Sequence, residues 1–129
     1  MNYQIADFII RVKNAAMANR KEVKMPYANV LLAIGKVLVK EGFLSDIKED
    51  KDDNKRILIA TVRYVRRKPV VHNVTVISKP SLRVYKPNTE VGKNKDRAVT
   101  TIYSTSSGVM TGKEAVKKGV GGELLFAIW

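Results

Sequence analysis

Apolar side chains recur at helical spacing from the start of the chain. Ile5, Phe8, Ile9, Val12 and Ala16 fall on one stripe within residues 3–18, which predicts an amphipathic helix. On its polar side Asp7 and Arg11 stand four residues apart, placed for an ion pair, with Asn14 on the same side. Val23 and Met25 alternate with polar neighbours as in a short strand that Pro26 ends. A second helical stripe follows in Leu31, Ile34 and Leu38, with Asn29 suited to cap its start. The helix runs to about Glu41, and Gly42 suits the left-handed position after its end. The period then drops to two. Phe43 to Ile47 and Arg56 to Tyr64 read as strands, with Ile57, Ile59 and Thr61 on one face and the charged run Glu49 to Lys55 as the turn between them.

Arg66-Arg67-Lys68-Pro69 marks a change of pattern. Three adjacent cations favour water, and proline disfavours helix in the residue before it. Beyond this point the chain reads mainly as strand: Val70 to Ile77, a turn at Ser78 to Ser81, Leu82 to Tyr85, and Val99 to Tyr103. Residues 86–97 are polar and basic without periodicity and read as a loop. Thr111 and Glu114 make a capping box, so a short helix starts after Thr111 and stops at Gly119, and Glu123 to Trp129 is a last strand. The expected fold is α+β: an N-terminal α/β module over residues 1–65, two helices on a small three-stranded sheet, packed against a mainly β module over residues 66–129 with one short helix.

Charge changes the picture from fold to partner. The chain carries 24 Lys and Arg against 12 Asp and Glu, a formal net charge of +12. Residues 1–65 hold 12 basic and 8 acidic side chains and residues 66–129 hold 12 and 4, so the second half supplies most of the excess. Such an excess on a small folded chain favours a polyanion, because neutralised phosphates release their counterions. Cysteine is absent, which excludes disulfides and thiolate metal sites. No signal peptide is read at the N-terminus and the longest apolar runs are too short to span a bilayer, so the expected location is cytoplasmic, with no membrane partner. The Asp/Glu/Asn run of residues 49–55 lacks the glycine and closing glutamate of a calcium loop; no metal and no cofactor is expected.

The chemistry concentrates between Ser104 and Glu123. Ser104, Thr105, Ser106 and Ser107 are consecutive hydroxyls on a strand-to-loop exit that ends at Gly108. Short hydroxyl side chains donate and accept, and so suit the 2′-hydroxyls and base edges of the shallow RNA minor groove. An ordinary serine-rich turn is the plainer reading, and the charge of this half tilts the balance toward RNA.

These residues resemble the family of bacterial small-subunit ribosomal protein eight. Ser104 to Ala115, including Gly108-Val109-Met110-Thr111 and Glu114, and the run Gly119-Val120-Gly121-Gly122-Glu123 are similar to its C-terminal hallmark. So are Ile77-Ser78-Lys79-Pro80, Leu82-Arg83-Val84-Tyr85, the final Trp129, and upstream Ile5-Ala6-Asp7, Arg11, Asn14-Ala15 and Lys40-Glu41-Gly42-Phe43. The resemblance implies a primary rRNA-binding protein of the ribosome that helps assemble the platform and central domain of the small subunit. Its partners would be the 16S rRNA central domain and neighbouring small-subunit proteins. A secondary role as repressor, through a hairpin in its own mRNA, is known for some members. Ser104, Thr105 and Ser106 become direct RNA contacts, supported by Ser107 and Gly108. Gly121, Gly122 and Glu123 become the close-approach strand beside them. Tyr85 either stacks on an unpaired base or packs in the core, and Lys79, Arg11 and Asn14 are further RNA-facing candidates. The chain departs from the family at Ser81, which stands for a usual glycine, at Ser107 and Gly112, which replace Lys and Asp, and at Gly92 to Arg97, which replaces a glycine-rich stretch.

Rival functions find little support. His72 is the sole histidine and lacks a serine or aspartate pattern around it, and no sequence-evident base activates Ser104 to Ser107, so an enzyme is not expected. Gly119-Val120-Gly121-Gly122 follows its helix instead of opening it, unlike a phosphate loop. Ala127-Ile128-Trp129 could cover a protein partner, but core packing suits it better.

Overall fold

A computed structural model of the chain describes residues 3–91 and 98–129. Gly92 to Arg97, the end of the expected 86–97 loop, lies outside the described residues. The predicted first helix is α1 (Gln4–Met17), which buries Ile5, Phe8, Ile9, Val12 and Ala16 together with Ala15. Strand β1 (Glu22–Pro26) buries Val23 and Met25. Helix α2 (Asn29–Lys40) buries Leu31, Ile34 and Leu38, and Gly42 takes φ +85 after its end. Asn29 does not cap it. The helix starts one residue earlier than expected, with Ala28 as cap, and the Asn29 side-chain oxygen accepts from the Tyr27 hydroxyl at 2.7 Å.

Strands β2 (Leu44–Asp52) and β3 (Lys55–Val62) complete an antiparallel sheet of order β1-β3-β2. The expected turn of residues 49–55 contracts to Asp53-Asn54, at φ 48 and 65. Two left-handed residues in a two-residue hairpin match strand twist, and Asp and Asn adopt that conformation readily. The charged run escaped recognition as strand because β2 is exposed on both faces from Lys48 onward. Ile57, Ile59 and Thr61 share one face of β3 as expected, and Ile59 on it is buried. Leu58, Ala60 and Val62 lie in the main core, while Ile57 and Thr61 are half-buried. A central strand apolar on both faces offers no alternation to read.

Arg66-Arg67 is not a plain linker but the tip of a small hairpin, β4 (Tyr64–Val65) with β5 (Lys68–Pro69). Arg66 and Arg67 take φ 54 and 67. Arginine has no local hydrogen bond to favour the left-handed region, so each of the two is strained by about 1 kcal/mol.

The C-terminal sheet is built on β10 (Gly122–Ile128). One edge of β10 pairs with β8 (Thr100–Thr105), which pairs with β9 (Gly108–Thr111). The other edge takes β6 (Val74–Val76) along residues 126–128 and β7 (Tyr85–Lys86) along residues 122–123. The strands expected at 70–77 and 82–85 are therefore shorter, because Val70 is tied back to Arg63 and the Lys79–Leu82 turn takes up the chain between them. Ser81 in that turn has no positive φ, as its replacement of glycine suggested. Strand β9 was not read from sequence: four residues with two adjacent apolar side chains carry no alternating pattern. Within 86–97, Asn88–Val91 forms one helical turn, α3, whose Val91 is buried. Helix α4 (Gly112–Lys118) starts and stops as predicted, with the Thr111 hydroxyl accepting from Glu114 N at 3.2 Å and Gly119 left-handed at φ 70. The Glu114 carboxylate reaches Lys40 of α2, 3.1 Å away.

The main hydrophobic core draws on both sides of the 65/66 division, joining Phe8, Ile9, Leu31 and Leu38 to Ile102, Leu125, Phe126 and Ile128. A second cluster, Val91, Tyr103, Met110, Ala115 and Leu124, lies under α3 and α4. A β-bulge between Leu124 and Phe126 lets one strand serve both clusters. The bulged Leu125 carbonyl accepts from Ile77 N and Ser78 N.

Ser78, fully buried, locks this region. Its hydroxyl donates to the Leu124 carbonyl at 2.7 Å and accepts from Val84 N at 2.9 Å. Ser78→Ala strands both groups away from water and is expected to cost about 1–3 kcal/mol in urea unfolding; an unchanged midpoint would refute the lock. Arg67→Gly relieves a left-handed arginine and is expected to raise stability by about 1 kcal/mol in the same assay.

Candidate nucleic-acid interface

The hydroxyl run folds as a hairpin tip. Ser104 and Thr105 end β8, Ser106-Ser107 turn, and Gly108 opens β9 with φ +108, the positive φ that closes the turn. Thr105 is the residue that shapes it: its hydroxyl donates to the Gly108 carbonyl at 2.7 Å and accepts from Ser107 N at 3.1 Å. That hydroxyl proton is already committed within the turn. Among the described residues the side chains of Ser104, Ser106 and Ser107 make no hydrogen bond, and Ser106 and Ser107 are exposed.

Strand register assembles the remaining candidates around this tip. Glu123 of β10 stands opposite Ser104 on one side and Tyr85 on the other. Directly opposite residues project from the same face, so Tyr85, Glu123 and Ser104 form a row across three strands. The next row is Lys86, Gly122, Thr105 and Gly108. Tyr85 is 68% exposed, which removes the core-packing reading and leaves its ring open to a planar partner.

The glycines make the rows fit. A Cβ on Gly122 would collide with the Ser104 carbonyl oxygen, and one on Gly121 would lie 2.5 Å from the Lys86 carbonyl oxygen. The backbones at the base of the hairpin are in contact without side chains between them. Gly112, which replaces an aspartate of the family pattern, is also steric: its Cβ would lie 2.6 Å from the Thr101 hydroxyl oxygen.

The Glu123 carboxylate is paired with Arg83, whose Nη1 lies 3.2 Å from Oε2. The same guanidinium lies 5.1 Å from the Tyr3 ring centroid. The Tyr3 hydroxyl is held above its ordinary pKa, first by burial and then by the Glu123 carboxylate, with Arg83 opposing both. Arg83 was not singled out from sequence, although it alternates with Tyr85 and so shares its parity.

Three predicted residues fall elsewhere. Lys79 is exposed on the tight turn 79–82, at the rim of a groove floored by Val74, Val76 and Ile10. Arg11 and Asn14 lie in a different groove of about 440 Å³, with Arg20 and Lys24. Arg11 makes the predicted ion pair with Asp7, 3.1 Å, and also donates to the Lys24 carbonyl at 3.3 Å. Lys24 was not singled out from sequence, because a lysine on the exposed face of a short alternating strand reads as solvated.

Comparison with known proteins finds similarity along nearly the whole chain. The family described as Ribosomal protein S8 matches residues 3–129. Small ribosomal subunit protein uS8 of Nitrosomonas europaea is 38% identical over 128 residues, covering 99% of this chain and 98% of the relative. The uS8 protein of Trichormus variabilis is 38% identical over 130 residues, again with 99% and 98% covered. The uS8c protein of Phaeodactylum tricornutum is 37% identical over 131 residues, with 100% and 99% covered. With both chains matched nearly end to end at such identity, this protein belongs to the ribosomal protein S8 family.

Proposed function

We propose that this protein, a structural and non-enzymatic constituent of the small ribosomal subunit, is a primary rRNA-binding protein of the central domain and platform that reads an rRNA helix from its minor groove. The observation that carries the reading is the row Tyr85–Glu123–Ser104 beside the Ser106-Ser107 tip. Uncommitted hydroxyls stand there on a rigid turn next to an exposed aromatic ring. The hydroxyls match 2′-hydroxyls and base edges, and the ring suits an unpaired base. The surrounding half, net +8, supplies attraction without sequence preference. Thr105, Gly108, Gly121 and Gly122 hold the shape, and Arg83 keeps Glu123 from repelling phosphate. An mRNA hairpin presenting the same groove would occupy the same surface, which is the basis for a repressor role.

Affinity for the cognate rRNA helix is expected to fall steeply with salt and to exceed that for a plain duplex of equal length. Equal affinity for both would overturn the reading. The double variant Ser106→Ala/Ser107→Ala is expected to lose about tenfold in that selectivity, roughly 1.4 kcal/mol, with an unchanged salt slope because no charge is removed. Thr105→Val is expected to weaken the turn itself, seen as faster amide exchange at Ser107, whereas Thr105→Ser keeps it protected. A slope change with intact selectivity in the serine variant would make the tip a phosphate clamp instead of a reader.

A further inference from the structure

We propose that the β4–β5 hairpin is a second RNA contact, gripping the phosphate backbone of a segment separate from the one at the Ser106-Ser107 tip. The inference rests on the RNA-binding reading above and adds a second element with a different chemistry.

Backbone conformation is the first observation. Among the described residues, two hairpins have two-residue turns that are left-handed throughout. One uses Asp53-Asn54, residues suited to that conformation; the other uses Arg66-Arg67, which are not. Strain of this kind persists where the surroundings over-determine it, and it concentrates at functional sites. The surroundings here do so. Tyr64 and Val65 pair with Pro69 and Lys68, the Arg63 carbonyl accepts from Val70 N at 3.1 Å, and the Tyr64 hydroxyl donates to the Arg20 carbonyl at 2.6 Å. The two guanidiniums are thus carried on a fixed support, which reduces the freedom lost on binding.

Charge is the second. Arg66, Arg67 and Lys68 are all exposed, and none forms an ion pair among the described residues. Arg11, Lys40, Arg56 and Arg83 each face a carboxylate. Guanidiniums without an internal partner, side by side, match phosphate oxygens in paired geometry. The Tyr64 anchor also joins the hairpin to the α1–β1 connection, whose Arg20 lines the groove shared with Arg11, Asn14 and Lys24. The hairpin is thus tied to the segment that supplies Arg20 to this cleft, where Arg11, Arg20 and Lys24 outnumber the single acid Glu22.

Position is the third. The Ser106-Ser107 tip lies at the Gly122 end of β10, where Gly122 stands opposite Thr105. The hairpin lies toward the other end: Ile128 pairs with Val74, Trp129 bonds to His72 and Asn73, and Val70 bonds to Arg63. Seven residues of strand separate the ends by roughly 20 Å at ~3.4 Å per residue. That exceeds the Debye length of ~8 Å at physiological salt, so the two contacts act on phosphates that do not sense each other strongly. Their contributions to binding are then close to additive.

The chain has no cysteine, so a single introduced thiol can carry a tethered hydroxyl-radical source. Val65→Cys, next to the turn and half-exposed, and Ser107→Cys would each be loaded and bound as full chain to complete small-subunit rRNA. Two separate clusters of strand scission are expected. Scission only at the nucleotides cut from position 107, or none from position 65, would overturn the proposal; none from position 107 would instead overturn the minor-groove reading. In parallel, Arg66→Gln/Arg67→Gln is expected to reduce the slope of log K against log salt by roughly 2 while leaving selectivity between RNAs unchanged. Arg66→Lys/Arg67→Lys should restore the slope. Arg66→Asn/Arg67→Gly, which relaxes the turn and so should fold at least as well, must show the same loss. An unchanged slope in the folded variants would leave an acidic protein segment as the better partner and refute the RNA contact.

Discussion

The site depends on one steric fact: β10 enters the sheet with no side chain between its backbone and the backbones flanking it. At Gly122 the space a Cβ would need is occupied by the Ser104 carbonyl, and at Gly121 by the carbonyl of Lys86. Because two strands close on β10 at this point, Tyr85, Glu123 and Ser104 come into one row and the hydroxyl tip stands beside them. Any side chain here would spread the strands by more than a packed interior tolerates. The Ser78 hydroxyl then holds the 78–84 segment onto Leu124, so Tyr85 is delivered to its place by a buried hydrogen bond.

Downstream of this contact the strand changes its allegiance. The bulge at Leu125 turns Leu124 to the small cluster under α4 and Phe126 and Ile128 to the main core. The Gly122 end of β10 is therefore supported by a short helix of two turns, and the other end by both N-terminal helices. Short helices have little stability of their own. Here α4 is held by Thr111 at its start, by Gly119 at its end, and by the Lys40–Glu114 pair to α2. Helix α2 thus supports the hydroxyl tip by packing directly against β9, the strand that leaves it, and by one exposed ion pair to α4.

Much of this was legible in residues with a local cause. The capping box, the left-handed glycines after α2 and α4, and the stripes of α1 and α2 each express a rule acting within a few positions. Other elements were not. That the opposite face of β3, with Leu58, Ala60 and Val62, meets the main core was not legible, because both faces are apolar and only the packed helices distinguish them. The 49–55 run looked like a turn because a hairpin exposed on both faces carries no hydrophobic alternation. Ser104 to Met110 looked like a loop because a tight turn with polar flanks hides its pairing. Asn29 lost its cap to a helix that began one residue sooner, and to the Tyr27 hydroxyl.

By itself, then, the sequence determined the fold class, the basic character of the chain, its family, and the segment that holds the consecutive hydroxyls, since these follow from composition, periodicity and a motif contiguous in the chain. Only the tertiary structure decided which hydroxyls in that segment are uncommitted, that Arg83 answers Glu123, that Tyr85 is exposed, and that Arg66-Arg67 forms a strained turn toward the far end of β10. The physical reason is separation. Those relations join residues up to 40 positions apart, or depend on the conformation of a turn. Both are set by which strands pair and how closely, and the order of residues along the chain does not express them.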